Sequence, residues 1–160
     1  MIPLGLSIAV CVRIGQHLGA RRYDLIKLSW SVGMSCCLVI QLFSISMFFI
    51  APEFISSIYT SDPELIKMTV SLLGIAAVFQ LGDGIQVVGL SALRGIKDTR
   101  IPFMATLVSF WVVGAPVAVF VSIGLGYQTW GVWFCVASGL SVAAALHIWR
   151  FQRLASAYDN

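Results

Sequence analysis

The sequence predicts an all-α integral membrane fold, and three observations carry that prediction. Hydrophobic residues fill 59% of the 160 positions and charged residues only 11%, where a soluble domain carries roughly 25% charged residues. The mean hydropathy is +0.93. The few charges gather in short polar stretches between long runs that have almost none. Such runs must be helices, because a lone strand would leave its backbone groups unpaired in lipid. Core helices of a soluble protein would need polar outer faces, and these runs lack them.

Taken in order, the first run covers 2–12, reaches Arg13 and stops at the polar stretch 16–27. Only about a dozen apolar residues precede Arg13, short of the roughly 20 that span a bilayer. With no basic leader and no small-residue cleavage site, it is a poor signal peptide. It reads as the second part of a helix, over about 1–18, whose beginning is absent, so the chain is expected to be a fragment. The second helix, 28–50, carries no charge at all. The third, 64–93, is opened by Ser61, Pro63 and Glu64, where serine and glutamate three apart can form a capping box and proline fits the first turn. The fourth, 101–124, opens with Pro102 and holds Pro116 well inside, where a lost hydrogen bond predicts a bend. Gly124, Gly126 and Gln128 make a turn before the last helix, 129–150, and 151–160 is a polar tail. The reading is therefore about four complete transmembrane helices plus a partial first one, in one transmembrane unit over 1–150. No repeat or low-complexity linker divides it.

Orientation follows from the cations. Arg21, Arg22 and Lys27 follow the first helix, Arg94, Lys97 and Arg100 the third, and Arg150 and Arg153 the last. The alternate connections hold only Lys67 beside Glu53, Asp62 and Glu64. Basic residues stay inside, so the first set of loops and the C-terminal tail are expected in the cytoplasm. The four cysteines, at 11, 36, 37 and 135, lie within spans, without disulfide or metal-site spacing, and read as small packing residues. His17 and His147 lie near cytoplasmic helix ends, where interfacial solvation accounts for them. Arg13 can snorkel to the same interface.

Asp83 is the expensive residue. It stands eleven positions before Arg94, ~16 Å along a helix and close to the bilayer midplane. Insertion scales put the cost of an aspartate there at roughly 2.5–3.5 kcal/mol, so it calls for a proton, a cation, a partner or a water-filled cavity. Gln80 and Gln86 lie three residues to either side, which predicts one polar face, and Gly82 and Gly84 permit close backbone approach. Ionisable groups at this depth usually line an ion or substrate path. A protonated aspartic acid bonded to a neighbouring helix is the structural alternative.

These same residues carry a resemblance. The stretch from Met1-Ile2-Pro3-Leu4 to Val12-Arg13-Ile14-Gly15 and Gly19 resembles a segment of the multidrug and toxic compound extrusion family. So do Phe79-Gln80-Leu81-Gly82-Asp83-Gly84-Ile85-Gln86, then Leu93-Arg94-Gly95-Ile96-Lys97-Asp98-Thr99-Arg100-Ile101-Pro102, Trp111 and Gly114-Ala115-Pro116. The NorM-like bacterial branch, related to norfloxacin-type exporters, is the nearest match, over essentially the whole chain. The resemblance implies a twelve-helix transporter of two six-helix lobes, of which this chain is most of the C-terminal lobe, from late in the eighth helix through the twelfth. It also implies a bacterial cytoplasmic (inner) membrane protein that exports cationic or amphipathic drugs in exchange for sodium or protons, with the bilayer and the missing N-terminal helices as partners. Asp83 matches an acidic residue that the family associates with cation coupling, and so is the candidate sodium ligand. Gln80 and Gln86 join it as candidate ion-coupling or substrate residues. Phe79 stands where some members have a tyrosine.

A lipid-linked sugar flippase of the same superfamily should show a more basic cavity, and a non-transporting packing subunit leaves Asp83 without a use. An intramembrane aspartyl protease needs Gly-x-Gly-Asp, but Gln80 and Leu81 precede Gly82-Asp83, and Tyr158-Asp159 lies in the polar tail. No HExxH, GxSxG or phosphate loop occurs, so no enzymatic activity is expected. Nor is any cofactor or nucleic-acid partner.

Overall fold

A computed structural model describes residues 2–124 and 128–157, and no strand occurs among them. Helix α1 spans Ile2–Gly19, α2 Asp24–Ile50, α3 Pro52–Ser57 and α4 Pro63–Gly95. Helix α5 spans Arg100–Gly124, and α6 spans Gln128–Ala157. All but α3 contain a stretch long and apolar enough to cross a membrane, the shortest being the 18 residues of α1.

The helix ends refine the expected boundaries. Helix α4 is capped by Asp62 rather than Ser61: its carboxylate accepts from the Glu64 amide at 2.9 Å. Pro63 sits in the first turn, which sets the cap one residue later than a serine-based box would have it. The 16–27 polar stretch is not all loop, because α2 starts at Asp24, whose charge suits a helix N-terminus. Helix α6 runs through most of the expected 151–160 tail, since Phe151 and Ala155 are buried against the other helices. Of the expected turn at 124–128, residues 125–127 lie outside the described residues, as do Tyr158 and Asp159. The short α3, which the sequence reading omitted, starts at Pro52, and its Ser56 hydroxyl donates to the Pro52 carbonyl at 2.8 Å.

At Pro116 the helix changes its hydrogen-bond pattern. Ser109–Gly114 is π-helical, and the Ala115 amide bonds back to the Phe110 carbonyl. A second π-helical stretch covers Phe120–Gly124. A proline lacks the amide and crowds the carbonyl four residues back, and a widened turn makes room for both defects.

The buried core sits at the end of the bundle that carries the basic loops. Ile14 of α1, Ile26 of α2, Leu93 of α4 and Phe151 of α6 meet there, with Trp30 stacked on Phe151 at 5.0 Å between ring centroids. Outward-facing Phe43, Trp111 and Ile123 are exposed, as suits side chains with apolar lipid for solvent. Helices α1 and α4 touch backbone to backbone. A Cβ on Gly95 would lie 2.8 Å from the Cys11 carbonyl oxygen and 2.9 Å from the Ile14 Cβ. The loop after α4 is tied to α6, because Arg150 Nε donates to Asp98 Oδ2 at 2.9 Å.

Helices α1 and α4 end alike. Arg22 donates to the His17 carbonyl and Arg21 to that of Leu18, at 2.9 and 3.1 Å; Asp98 and Lys97 donate to Leu93 and Arg94, both at 3.0 Å. This is the double bond of a Schellman cap, whose left-handed residue is normally glycine. Here it is Arg21, with φ 57°, and Lys97, with φ 65°. Left-handed backbone costs an L-residue roughly 1–2 kcal/mol, partly offset by the greater freedom of glycine in the unfolded chain. Lys97→Gly should therefore raise thermal stability by about 0.5–1 kcal/mol, measured by unfolding in detergent. A lower melting temperature would count against the cap.

Candidate functional site

Asp83 lies in the apolar stretch Ala76–Gly95 of α4, so its carboxylate is held within the membrane-crossing part of the helix. Its side chain is open on the surface of the bundle. The residues beside it face neighbouring helices: a Cβ on Gly82 would lie 3.6 Å from the Leu140 Cβ of α6, and one on Gly84 would overlap the Gln41 side-chain amide of α2. Asp83 thus sits on the ridge of α4 between two packed helices.

The expected single polar face is divided. Gln80 is half-buried beside Asp83, whereas Gln86 is 8% exposed. Each three-residue step falls about 60° short of a full turn, so two steps rotate Gln86 well away from Gln80 and into the bundle. Gln80 and Asp83 remain on the open side.

Two polar residues come close that sequence reasoning missed. Cys37 of α2 is buried in the core together with Val88 and Ala92 of α4. Gln41, one turn further along α2, is 1% exposed. Neither its Nε2 nor its Oε1 has a hydrogen-bond partner among the described residues. The available signal was that Gln41 is the one amide in the uncharged run 28–50.

A second polar node corrects the reading of His147. It is 0% exposed, not solvated at the interface. Its Nε2 lies 3.3 Å from both Thr106 Oγ1 and the Pro102 carbonyl oxygen. Its buried Nδ1 has no hydrogen-bond partner among the described residues. Gly89 makes room for it, since a Cβ there would lie 3.0 Å from that of His147. The node joins α4, α5 and α6 and has no carboxylate, which suits packing better than ion transfer.

An apolar groove of about 300 Å³ runs between α4 and α6, lined by Ser71, Gly74, Val78, Phe79, Trp133 and Phe134. Phe79 stacks on Trp133 at 5.2 Å, so it has a packing role that needs no hydroxyl. All four cysteines are free: Cys37 is buried and Cys11 and Cys135 are partly buried, as packing residues would be, whereas Cys36 is exposed. Among the described residues no group of three or more His, Cys, Asp or Glu could hold a metal ion. Asp83 is a single-carboxylate site, suited to a proton or to a weakly held monovalent cation that keeps other oxygen ligands.

Helices this apolar, around one carboxylate at membrane depth, define a multi-pass membrane protein. Comparison with known proteins gives the family. The MatE family model matches residues 1–120. The "Probable multidrug resistance protein NorM" of Pseudomonas aeruginosa is 39% identical over 149 residues, covering 90% of this chain and 30% of that protein. The protein of the same description from Burkholderia pseudomallei is 35% identical over 162 residues, covering 98% of this chain and 35% of that one. In fold, the chain is similar to the crystal structure of the eukaryotic MATE transporter AtDTX14, with a TM-score of 0.85 at 19% identity, over 98% of this chain and 36% of that one. The chain belongs to the MatE family, and it spans about a third of the length of the curated relatives it matches.

Proposed function

We propose that this chain forms most of the C-terminal lobe of a secondary antiporter. The complete transporter exports cationic or amphipathic drugs across the bacterial inner membrane in exchange for sodium ions or protons. The observation that carries the reading is Asp83, a lone carboxylate in a membrane-crossing stretch, open on one side and backed by glycines on the other. The names of the relatives, multidrug resistance proteins, support drugs as the cargo. A carboxylate that holds one cation at a time makes drug and ion compete, and competition links the movement of one to release of the other. The test is ethidium efflux from vesicles containing the full-length protein, driven by an imposed sodium or proton gradient. Efflux indifferent to both gradients would end the reading.

Two further expectations belong to it. The loops 94–100 and 19–27 and the end of α6 face the cytoplasm, on the strength of their basic bias. Cysteines introduced in loop 94–100 should react with impermeant reagents only after the membrane is opened, and labelling in intact cells would reverse the topology. Residues 1–160 alone should confer no drug resistance, because alternating access needs two halves that rock about a central site. Resistance from this chain by itself, at ordinary expression, would point to a homo-oligomeric path.

A further inference from the structure

The proposed coupling site has one carboxylate and, beside it, one amide that the fold has buried without giving it a partner. Gln41 is 1% exposed, and among the described residues neither polar atom of its side chain has a hydrogen-bond partner. Leaving a buried amide unpaired costs about 1–3 kcal/mol, and an apolar side chain of the same size would avoid that cost. Its position against the Gly84 backbone, where a Cβ would overlap it, sets the amide one residue along α4 from Asp83. Cys37, one turn before it on the same face of α2, is buried with Val88 and Ala92 of α4, so this face of α2 packs on α4. Position 84 can approach this closely only because it has no side chain.

We infer that Gln41 is a second ligand for ion coupling: its side-chain oxygen coordinates the sodium ion that Asp83 carries, or accepts a hydrogen bond from the protonated Asp83 carboxyl. The inference rests on the role proposed for Asp83 and adds a neutral ligand from a second helix. An amide suits that place. Its oxygen can coordinate sodium or accept a bond from the protonated carboxyl, while its lack of charge leaves the site's net charge to Asp83 alone. Loading the site then draws α2 toward α4 through one bond, so ion occupancy is felt at a helix interface as well as at the carboxylate.

The test uses the full-length transporter with Gln41→Leu, which keeps the volume and removes the amide. Efflux is measured against sodium at fixed pH, and separately against a proton gradient without sodium. The ion that drives transport should need about tenfold more for half-maximal efflux, the loss expected for one hydrogen bond to a charged group. The melting temperature should be unchanged or higher. Gly84→Ala is the second variant: its methyl displaces the Gln41 amide and should produce the same shift, with little added effect in a Gln41→Ala background. An unchanged ion requirement in both variants, with or without a lower melting temperature, overturns the role of Gln41. If Asp83→Asn nonetheless uncouples transport, only this inference has failed. If Asp83→Asn leaves coupling intact, the proposed site itself has failed, and Gln41 with it.

Discussion

Asp83→Asn is expected to abolish ion-driven drug efflux in the full-length protein while leaving its accumulation in the membrane intact or improved. The substitution keeps shape and hydrogen-bonding capacity and removes the one carboxylate of the stretch Ala76–Gly95. A neutral amide cannot balance a bound cation, and it cannot pick up and release a proton. The differential affinity that links drug and ion therefore disappears rather than weakening. Inserting the variant is easier, because the wild-type carboxylate costs roughly 2.5–3.5 kcal/mol at the centre of a membrane helix. This opposite direction of the two effects separates a coupling role from a folding role. Gln80→Ala and Gln86→Ala should change efflux much less, since neutral groups only help to coordinate, and Gln86 is turned into the bundle. Normal gradient-driven efflux by well-expressed Asp83→Asn would sink the assignment.

Gly95→Val should have the largest effect on assembly of the bundle. Even the first added carbon at position 95 would stand 2.8 Å from a backbone oxygen of α1 and 2.9 Å from the Ile14 Cβ, neither of which can swing aside. Helices α1 and α4 would have to separate at the point where Ile14 and Leu93 join the core. Overpacking of this kind costs about 1–3 kcal/mol even where the surroundings relax. A membrane bundle has little to offset it, because close packing supplies much of what holds its helices together. Loss of the folded peak in detergent chromatography is the expected readout. Gly19→Ala is the control, as nothing lies within 4 Å of the added methyl. Equal stability of the two variants would refute the close approach.

The spans were legible in the sequence because a bilayer imposes a length on every uncharged run, and charges mark where each run ends. Their last residues were less legible. Helix α6 continues to Ala157 because Phe151 and Ala155 are covered by other helices, and polarity alone does not disclose such cover. Asp83 was legible by its cost. Gln41 was not, since one neutral amide hardly lowers the hydropathy of a 27-residue helix, and only the packing of α4 sets Gly84 against it. His147 was misread from its nearness to Arg150. The better signal was rotational: Leu140, Ala143, Ala144, His147, Phe151 and Ala155 repeat at helical spacing, and all six are buried. Depth along a helix and direction around it are separate coordinates, and charge patterns report mainly the first.

The widened turns of α5 have a consequence for how the protein fits its bilayer. Twenty-five residues from Arg100 to Gly124 would stretch ~37 Å as an unbroken α-helix, against ~30 Å of hydrocarbon. A π-turn fits more residues into each circuit while the spacing between circuits stays set by hydrogen-bond length, so each residue climbs less. The stretches Ser109–Gly114 and Phe120–Gly124 therefore shorten and thicken the rod. The contraction brings the length of α5 closer to that of the hydrocarbon, which leaves less for tilt to take up than in a straight helix of the same residues.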